Sequence, residues 1–399
     1  MKTSGALLSH VATIAVALGL TACGGSAPAT ASAPASGSAA ISASVAPSGG
    51  AAAPASSVGS SKQWSPATQQ LIAAAQKEGH LDLSWGSGLL GGSEGAPKLA
   101  AGMNQLFGTN IQVQFTPGGS EPETAAKMVE EQQGGKPAVS DVYVGAGGFV
   151  VTLVRRKGLE TVDWPALLPG RITPEMVENG VALRFFMSIP GAMYNPKQLP
   201  SGKVPKTMQD FLDPAWKGRL ASTPYAASFD FLAAKEAWGP TKTLDYVRQL
   251  SGQIGGLLRC GEAEQRIVSG EFAAHLMDCG DTETRVKLTQ QGAPIQRMIP
   301  ADAAQMRYKY LGVPTNATHP NAAKLFTAFM MTSQGQALEW DTSAADLEEF
   351  PASHMRPQVA QLEKQGAKFF APKIQYLLDH PELAKETAQM VKLLTAKKS

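Results

Sequence analysis

The sequence predicts an α/β fold. Three consecutive units carry the prediction: between residues 80 and 156 a strand pattern, a glycine-rich turn and a helix pattern follow one another three times. More strand and helix material runs from 240 to 313, and one long apolar run, residues 180–194, lies between the two sets. Strands alternating with helices are the sequence form of a parallel α/β layer.

The elements read in order. Residues 66–78 (PATQQLIAAAQKE) suit a helix with Pro66 in its first turn. Residues 80–85 (HLDLSW) are an apolar-rich strand ending in Gly86-Ser87-Gly88, followed by a helix around 96–107. Residues 111–116 (IQVQFT) alternate as a strand and end in Pro117-Gly118-Gly119-Ser120; the helix after them, 121–133, presents Glu123, Lys127, Glu130 and Glu131 to water. Residues 140–144 (SDVYV) form a third strand, ending in Gly145-Ala146-Gly147-Gly148, with a helix on to Arg156. Pro190 crosses the apolar run 180–194, which suits two strands linked end to end and able to pass between lobes; Asn195-Pro196 ends it as a turn. Helices are expected at 206–212, 228–237, 240–251, 262–269 and 282–291, and strands at 272–277 and 294–299. Residues 307–313 read as a returning strand, and 320–340 with several stretches up to 397 as amphipathic helices.

Charge divides the chain differently. The formal net charge of +2 lacks the basic excess of a nucleic-acid binder. Residues 1–61 hold a single charged residue, Lys2; all the others lie in the remaining 338. Lys2, the apolar stretch Val11–Leu20 and the small residues that follow have the layout of an export signal, too short for a spanning helix. Leu20-Thr21-Ala22-Cys23 resembles the bacterial lipobox, which implies cleavage before Cys23 and lipidation of its thiol. Residues 24–61 contain 13 Ala, 11 Ser, 6 Gly and 4 Pro, a composition that cannot bury enough apolar surface to offset its ordering entropy. Pro28, Pro34, Pro47 and Pro54 break any long helix. As a flexible leash the segment would span about 35 Å. The other two cysteines, Cys260 and Cys279, are expected to pair in an exported body, the alternative being two buried free thiols.

In parallel sheets ligands bind beyond the carboxyl ends of the strands, where all three glycine-rich turns lie. Ordinary βα loops also contain glycine, and none of the turns matches GxGxxG or GxxxxGK(S/T). No GxSxG elbow, HExxH or Ser-His-Asp signature occurs, so no catalytic residue, metal site or cofactor is expected. Glu348-Glu349 read as solvated loop acids, His275 as a structural strand residue, and His319 and His354 as surface residues near helix starts.

Several segments together resemble the bacterial extracellular solute-binding proteins of ABC transporters. They are Pro214-Ala215-Trp216-Lys217-Gly218-Arg219, Ser269-Gly270-Glu271-Phe272-Ala273, Gly292-Ala293-Pro294, and His319-Pro320-Asn321-Ala322-Ala323-Lys324-Leu325-Phe326 with Ser333-Gln334-Gly335-Gln336. Tyr194-Asn195 matches the "Y-N" after the first crossing strand. The iron(III)-type branch, which also carries thiamine and phosphonates, is the most similar. The resemblance implies a periplasmic-binding-protein-like fold: two α/β lobes joined by two crossing segments, with a ligand cleft that closes on a small polar solute, and docking to a membrane permease. It implies these divisions: 1–22 signal peptide, 23–63 lipidated cysteine and linker, 64–188 first lobe, 189–308 second lobe, 309–345 return to the first lobe, and 346–399 C-terminal helices. Ferric carriers of this branch use tyrosinates, often an adjacent pair; here the closest spacing is Tyr308 and Tyr310 in the returning strand, which argues against iron.

The expected ligand-binding residues are Ser87, Gly88, Ser120 and Gly147 in the first lobe, and Tyr194, Thr223, Tyr225, Ser228, Glu262 and Asp281 from the crossing and second lobe. Hydroxyls and loop N–H groups suit oxygen-rich solutes. Ser120 and Thr223 also suit helix caps. The expected partners are a small solute, an ABC permease and, through Cys23, membrane lipid, with the protein a monomer and no nucleic acid bound. Two other readings remain: an exported α/β enzyme, and a receptor feeding a membrane sensor kinase.

Overall fold

The computed structural model describes residues 64–396, apart from Ser201, Ala227, Cys260 and Asp281. The chain divides into two units, Met1–Ser61 and Lys62–Ser399. The expected signal peptide, Cys23 and the expected linker lie outside the described residues. No helix among the described residues is long and apolar enough to cross a membrane.

Ser65 caps the first helix, α1 (Pro66–Glu78), and Gly79, at φ 64°, ends it. The strand β1 (His80–Trp85) buries Leu81, Leu83 and Trp85 and runs parallel to β2 (Gln112–Pro117). The helix α2 (Gly92–Phe107) connects them, and α3 (Glu121–Gln133) leads on to β3 (Tyr143–Ala146) and α4 (Gly147–Arg155). The three strands were expected to share one parallel layer. Instead β3 pairs antiparallel elsewhere, because side chains occupy the free edge of β1. The N–H of Ser84 donates to Ser140 Oγ and that of Asp82 to Asp141 Oδ2, both at 2.9 Å.

After the short helix α5 (Trp164–Leu167) come β4 (Val177–Glu178), β5 (Ala182–Ser188) and β6 (Ala192–Tyr194). Ile189-Pro190-Gly191 splits the long apolar run between β5 and β6, which belong to different sheets. The second sheet continues with β7 (Leu220–Ser222), the helix α6 (Pro240–Ser251), β8 (Ile254–Leu257), α7 (Ala263–Val268), β9 (Ala274–Leu276), α8 (Glu283–Gln290) and β10 (Gln296–Met298). Its strand order is β10-β6-β9-β7-β8, with β7 parallel to both β8 and β9. The chain then returns as β11 (Arg307–Gly312), completing the antiparallel sheet β3-β11-β5-β4.

Strand β8 escapes sequence reading because its centre is Gly255-Gly256. Close approach demands both glycines: a Cβ at Gly255 would lie 2.2 Å from the Gly218 carbonyl oxygen, and one at Gly256 2.5 Å from the Phe272 ring. The helices expected at 206–212 and 228–237 are 3₁₀ turns, Gln209–Leu212 and Phe231–Ala233. Phe229, Phe231, Leu232, Ala233 and Ala234 are all buried, and consecutive i→i+3 bonds wind the second turn tightly among them.

The C-terminal region comprises α9 (Pro320–Met330), α10 (Ser333–Ser343), α11 (Met355–Lys364), α12 (Ile374–Asp379) and α13 (Glu382–Thr395). Helix α12 packs on α4 beside the first sheet, and α13 on α6 beside the second, so this region serves both lobes. On α10, Glu339 is wholly buried, and burial pushes its carboxyl up to about 8. An acid raised from 4.5 contributes its full stability below that pH and loses it as pH climbs through 8. His275, also buried, is pushed down to about 4 by burial and acts in the opposite sense, losing stability as pH falls below 6.5. The expected outcome is that Glu339→Gln melts a few degrees above the wild type at pH 8 and much closer to it at pH 5. Thermal unfolding at the two pH values checks this, and an unchanged difference would refute the burial effect.

Candidate solute cleft

Turns from both lobes gather around the two crossing strands. In the first lobe, the turn after β1 leaves Ser87 and Gly88 exposed, and a Cβ at Gly88 would touch nothing. This turn meets the next one closely: a Cβ at Gly86 would lie 2.7 Å from the Gly119 carbonyl oxygen. Ser120 is occupied as a cap, its N–H and its Oγ both donating to Glu123 Oε2 at 2.7 Å. Those bonds hold the Glu123 carboxyl below the usual range, and Arg259 of the second lobe lowers it further. Across the same gap Glu94 of α2 acts on Lys287 of α8, reinforcing the stronger effect of its neighbour Glu283. The strand-end turns of the two lobes therefore face each other.

Gly147 is not an open turn residue. It begins α4, and a Cβ there would press on Leu377 Cδ1 at 3.0 Å and Tyr310 Cε2 at 3.2 Å. The anion at this helix start is internal: Glu121 Oε2 accepts from the N–H of Ala146, while its other oxygen pairs with Lys309 of β11.

In the second lobe the expected residues separate. Thr223 follows β7, is fully buried, and its Oγ1 has no hydrogen-bond partner among the described residues. Tyr225 is half-buried, and Asp281 lies outside the described residues. Glu262 is exposed and accepts from the N–H of Arg259 at 2.9 Å. Tyr194, expected to bind the solute, is buried in β6 with its hydroxyl donating to Gln296 at 2.8 Å. Ser228, fully buried at φ 69°, donates to the Asp278 carbonyl at 3.3 Å and belongs to the joint between lobes.

Sequence reasoning missed that joint, because its charges come from distant positions. Asp278 accepts from Arg297 Nε and Nη2, both at 2.9 Å, and from the N–H of Gly191 at 2.8 Å in the first crossing. Arg307 grips Asp230 with two bonds, 2.6 and 3.1 Å, and stacks 4.0 Å from the Phe231 ring centroid. Arg307 and Lys309 alternate on one side of β11, tied to the second and first lobes respectively. Tyr308 and Tyr310 take the other side. Arg184, opposite Tyr310, lies 4.6 Å from the Tyr308 ring centroid and pairs with Glu349 at 2.9 Å and Glu178 at 3.2 Å. The Tyr308 hydroxyl donates to Glu348 at 2.6 Å. The acids Glu348 and Glu349, expected to be solvated, thus close a buried network; burial, aided by Glu349, pushes Glu348 up to about 7. The hollow of about 670 Å³ lined by Trp238, Lys242, Tyr246 and Asp302 shares none of these residues.

Two α/β lobes, two crossings and facing strand-end turns define a two-lobed binding protein. Residues 98–369 match the family of bacterial extracellular solute-binding proteins. The chain belongs to that family, and is accordingly an extracellular solute-binding protein. It is 28% identical over 149 residues to the Fe(3+)-binding periplasmic protein of Serratia marcescens, covering 36% of this chain and 41% of that one. The chain spans about two fifths of the length of the curated relatives it matches. Iron-bound HitA of Pseudomonas aeruginosa shares the fold with TM-score 0.60 and 19% identity, over 78% of this chain and 99% of that one. An ABC-transporter substrate-binding protein of Agrobacterium tumefaciens does so with TM-score 0.64 and 15% identity, over 79% and 94%.

The joint also contains a strained close approach. Gly280 sits at φ 118°, and a Cβ there would lie 2.5 Å from Ser188 Cβ on β5. Gly280→Ala should therefore cost about 1–3 kcal/mol of stability. Chemical denaturation checks this; a variant as stable as the wild type would show that the joint does not need the glycine.

Proposed function

We propose that the chain is a lipid-anchored, monomeric receptor of an ABC importer that captures a small polar solute by closing its two lobes, needs no cofactor, and delivers the solute to a membrane permease. The observation that carries this reading is β11: one strand with two adjacent cations on one side, Lys309 paired to Glu121 of the first lobe and Arg307 to Asp230 of the second. A rotation between lobes must work against these pairs, which makes the strand a natural hinge for solute-driven closure. The sheets support the proposed division into 64–188, 189–308 and 309–345, with 346–399 serving both lobes. The binding surface we propose comprises Ser87, Gly88, Thr223, Tyr225, Glu262 and Asp281. Ser120, Gly147, Tyr194 and Ser228 support it from behind.

The iron named in two similar proteins does not carry over readily. Burial pushes the phenols of Tyr308 and Tyr310 up, away from the tyrosinate that a ferric site needs, and Tyr308 already donates to Glu348. Outside the described residues, we propose a signal peptide over 1–22, lipidation at Cys23 and a leash to residue 63. We also propose a Cys260–Cys279 disulfide; Cys279 being disulfide-bonded supports it. A loop of this size adds about 3 kcal/mol in the chain-entropy model.

Two outcomes are expected. In a thermal-shift screen of metals, polyamines, thiamine, phosphonates and organic anions, at least one solute raises the melting temperature and compacts the protein in small-angle scattering. A protein that ignores the whole panel in both measurements would sink the receptor reading. Separately, Cys23→Ala should move the protein from the membrane fraction to the soluble one; unchanged partitioning would refute the lipid anchor alone.

A further inference from the structure

We propose that His80, Asp82, Asp141 and His319 form a binding site for a divalent transition-metal ion of the zinc type, apart from the solute cleft. Three separate parts of the chain bring these residues together. His80 and Asp82 are two apart on β1, so their side chains leave the same face of the strand. Asp141 comes from the segment that covers the free edge of β1, and His319 is the cap residue of α9. Their sequence separation hides the set from any reading based on ligand spacing.

The donor atoms already lie at the spacing such an ion demands. Ligands about 2.0–2.1 Å from one tetrahedral zinc lie about 3.3 Å from each other. Here His80 Nε2 is 3.1 Å from Asp82 Oδ1, His319 Nδ1 is 2.8 Å from Asp141 Oδ2, and the same Nδ1 is 3.8 Å from Asp82 Oδ2. One ligand atom from each of Asp82, Asp141 and His319 falls within 4.8 Å of the others. The His80 and His319 rings are 5.0 Å apart between centroids; His80 lies outside that spacing and would have to turn to join it.

The supporting shell is also present. Asp141 is fully buried, and its Oδ1 accepts from the N–H groups of Thr318 and His319 at 2.7 and 3.0 Å. These bonds fix the carboxylate, and its Oδ2, which also accepts from the Asp82 N–H at 2.9 Å, lies against the His319 ring; such outer-shell bonds orient a metal ligand. The side chains of His80 and Asp82 are about one third exposed, giving an ion a path from solvent. Two carboxylates and two neutral imidazoles would neutralise a doubly charged ion, and mixed nitrogen and oxygen donors suit zinc over calcium or magnesium.

The site lies at the amino-terminal end of β1, whereas the turn holding Ser87 and Gly88 follows the other end, a strand length of roughly 17–20 Å away. An ion would bind β1, the 138–142 segment and the start of α9 together without occupying the cleft. It would raise stability in proportion to its concentration over the dissociation constant.

The test uses the untagged full chain, stripped with a chelator and titrated with zinc alone by calorimetry and thermal unfolding, with cobalt absorption reporting tetrahedral ligation. One zinc per chain and a zinc-dependent rise in melting temperature are expected. His80→Ala and Asp82→Asn should each weaken zinc binding by about tenfold or more while melting like the wild type in chelator. His354→Ala, a histidine elsewhere, should bind as the wild type does. Absence of saturable binding at one ion per chain would overturn the proposal, as would wild-type affinity in both His80→Ala and Asp82→Asn.

Discussion

Alternation along β11 is the constraint on which the rest of the body depends. Odd positions send Arg307 and Lys309 to acids of opposite lobes, while even positions send Tyr308 and Tyr310 into the first lobe around Arg184. Because strand side chains alternate with period two, a shift of one residue would exchange the sides of the cations and the tyrosines and separate both cations from their acids. The register against β5 and β3 therefore sets hinge electrostatics and core packing at once. The irregularity between Lys309 and Tyr310 in the β5 pairing lies at this crossing, where the strand leaves the joint for the first sheet.

Charge inside the body is arranged for geometry more than for net stability. Arg184, only 2% exposed, has acidic partners in Glu178 and Glu349, and it also donates to the Glu175 carbonyl. Burying such a set gains little over an apolar core of equal volume, yet removing one member typically costs about 3–5 kcal/mol by stranding the others. Asp278 and Arg297 stand in the same relation at the other crossing. Such pairs specify where crossing strands and loops must sit. The isolated buried groups Glu339 and His275 pull stability in opposite directions with pH, which favours mildly acidic to neutral conditions.

Much of the fold was legible along the chain. Glycine-rich turns after β1 and β2, the split of the apolar run at Pro190 and the return near 307 are local patterns, and local patterns survive in one dimension. Elements failed where tertiary packing overrode them. Gly255-Gly256 hid a strand whose glycines exist to let Gly218 and Phe272 approach. The stretches around Phe211 and Phe229 read as helices but wind as 3₁₀ turns; around Phe229 the surrounding core buries nearly every residue. Among the site residues, Ser87 and Gly88 are exposed, whereas Ser120 and Tyr194 have internal partners.

The sequence alone determined the class of the protein: strand, turn and helix periodicity together with ordered family motifs mark a two-lobed solute receptor, and the first 61 residues, with Lys2 their single charge, are set apart from the body. Only the tertiary structure decided which charges meet. Arg307 with Asp230, Lys309 with Glu121, and His80 with Asp82, Asp141 and His319 unite positions up to 239 residues apart. Periodicity reports how a segment faces its own neighbours. A pairing between distant segments exists only after sheet order and crossing geometry have brought their side chains together.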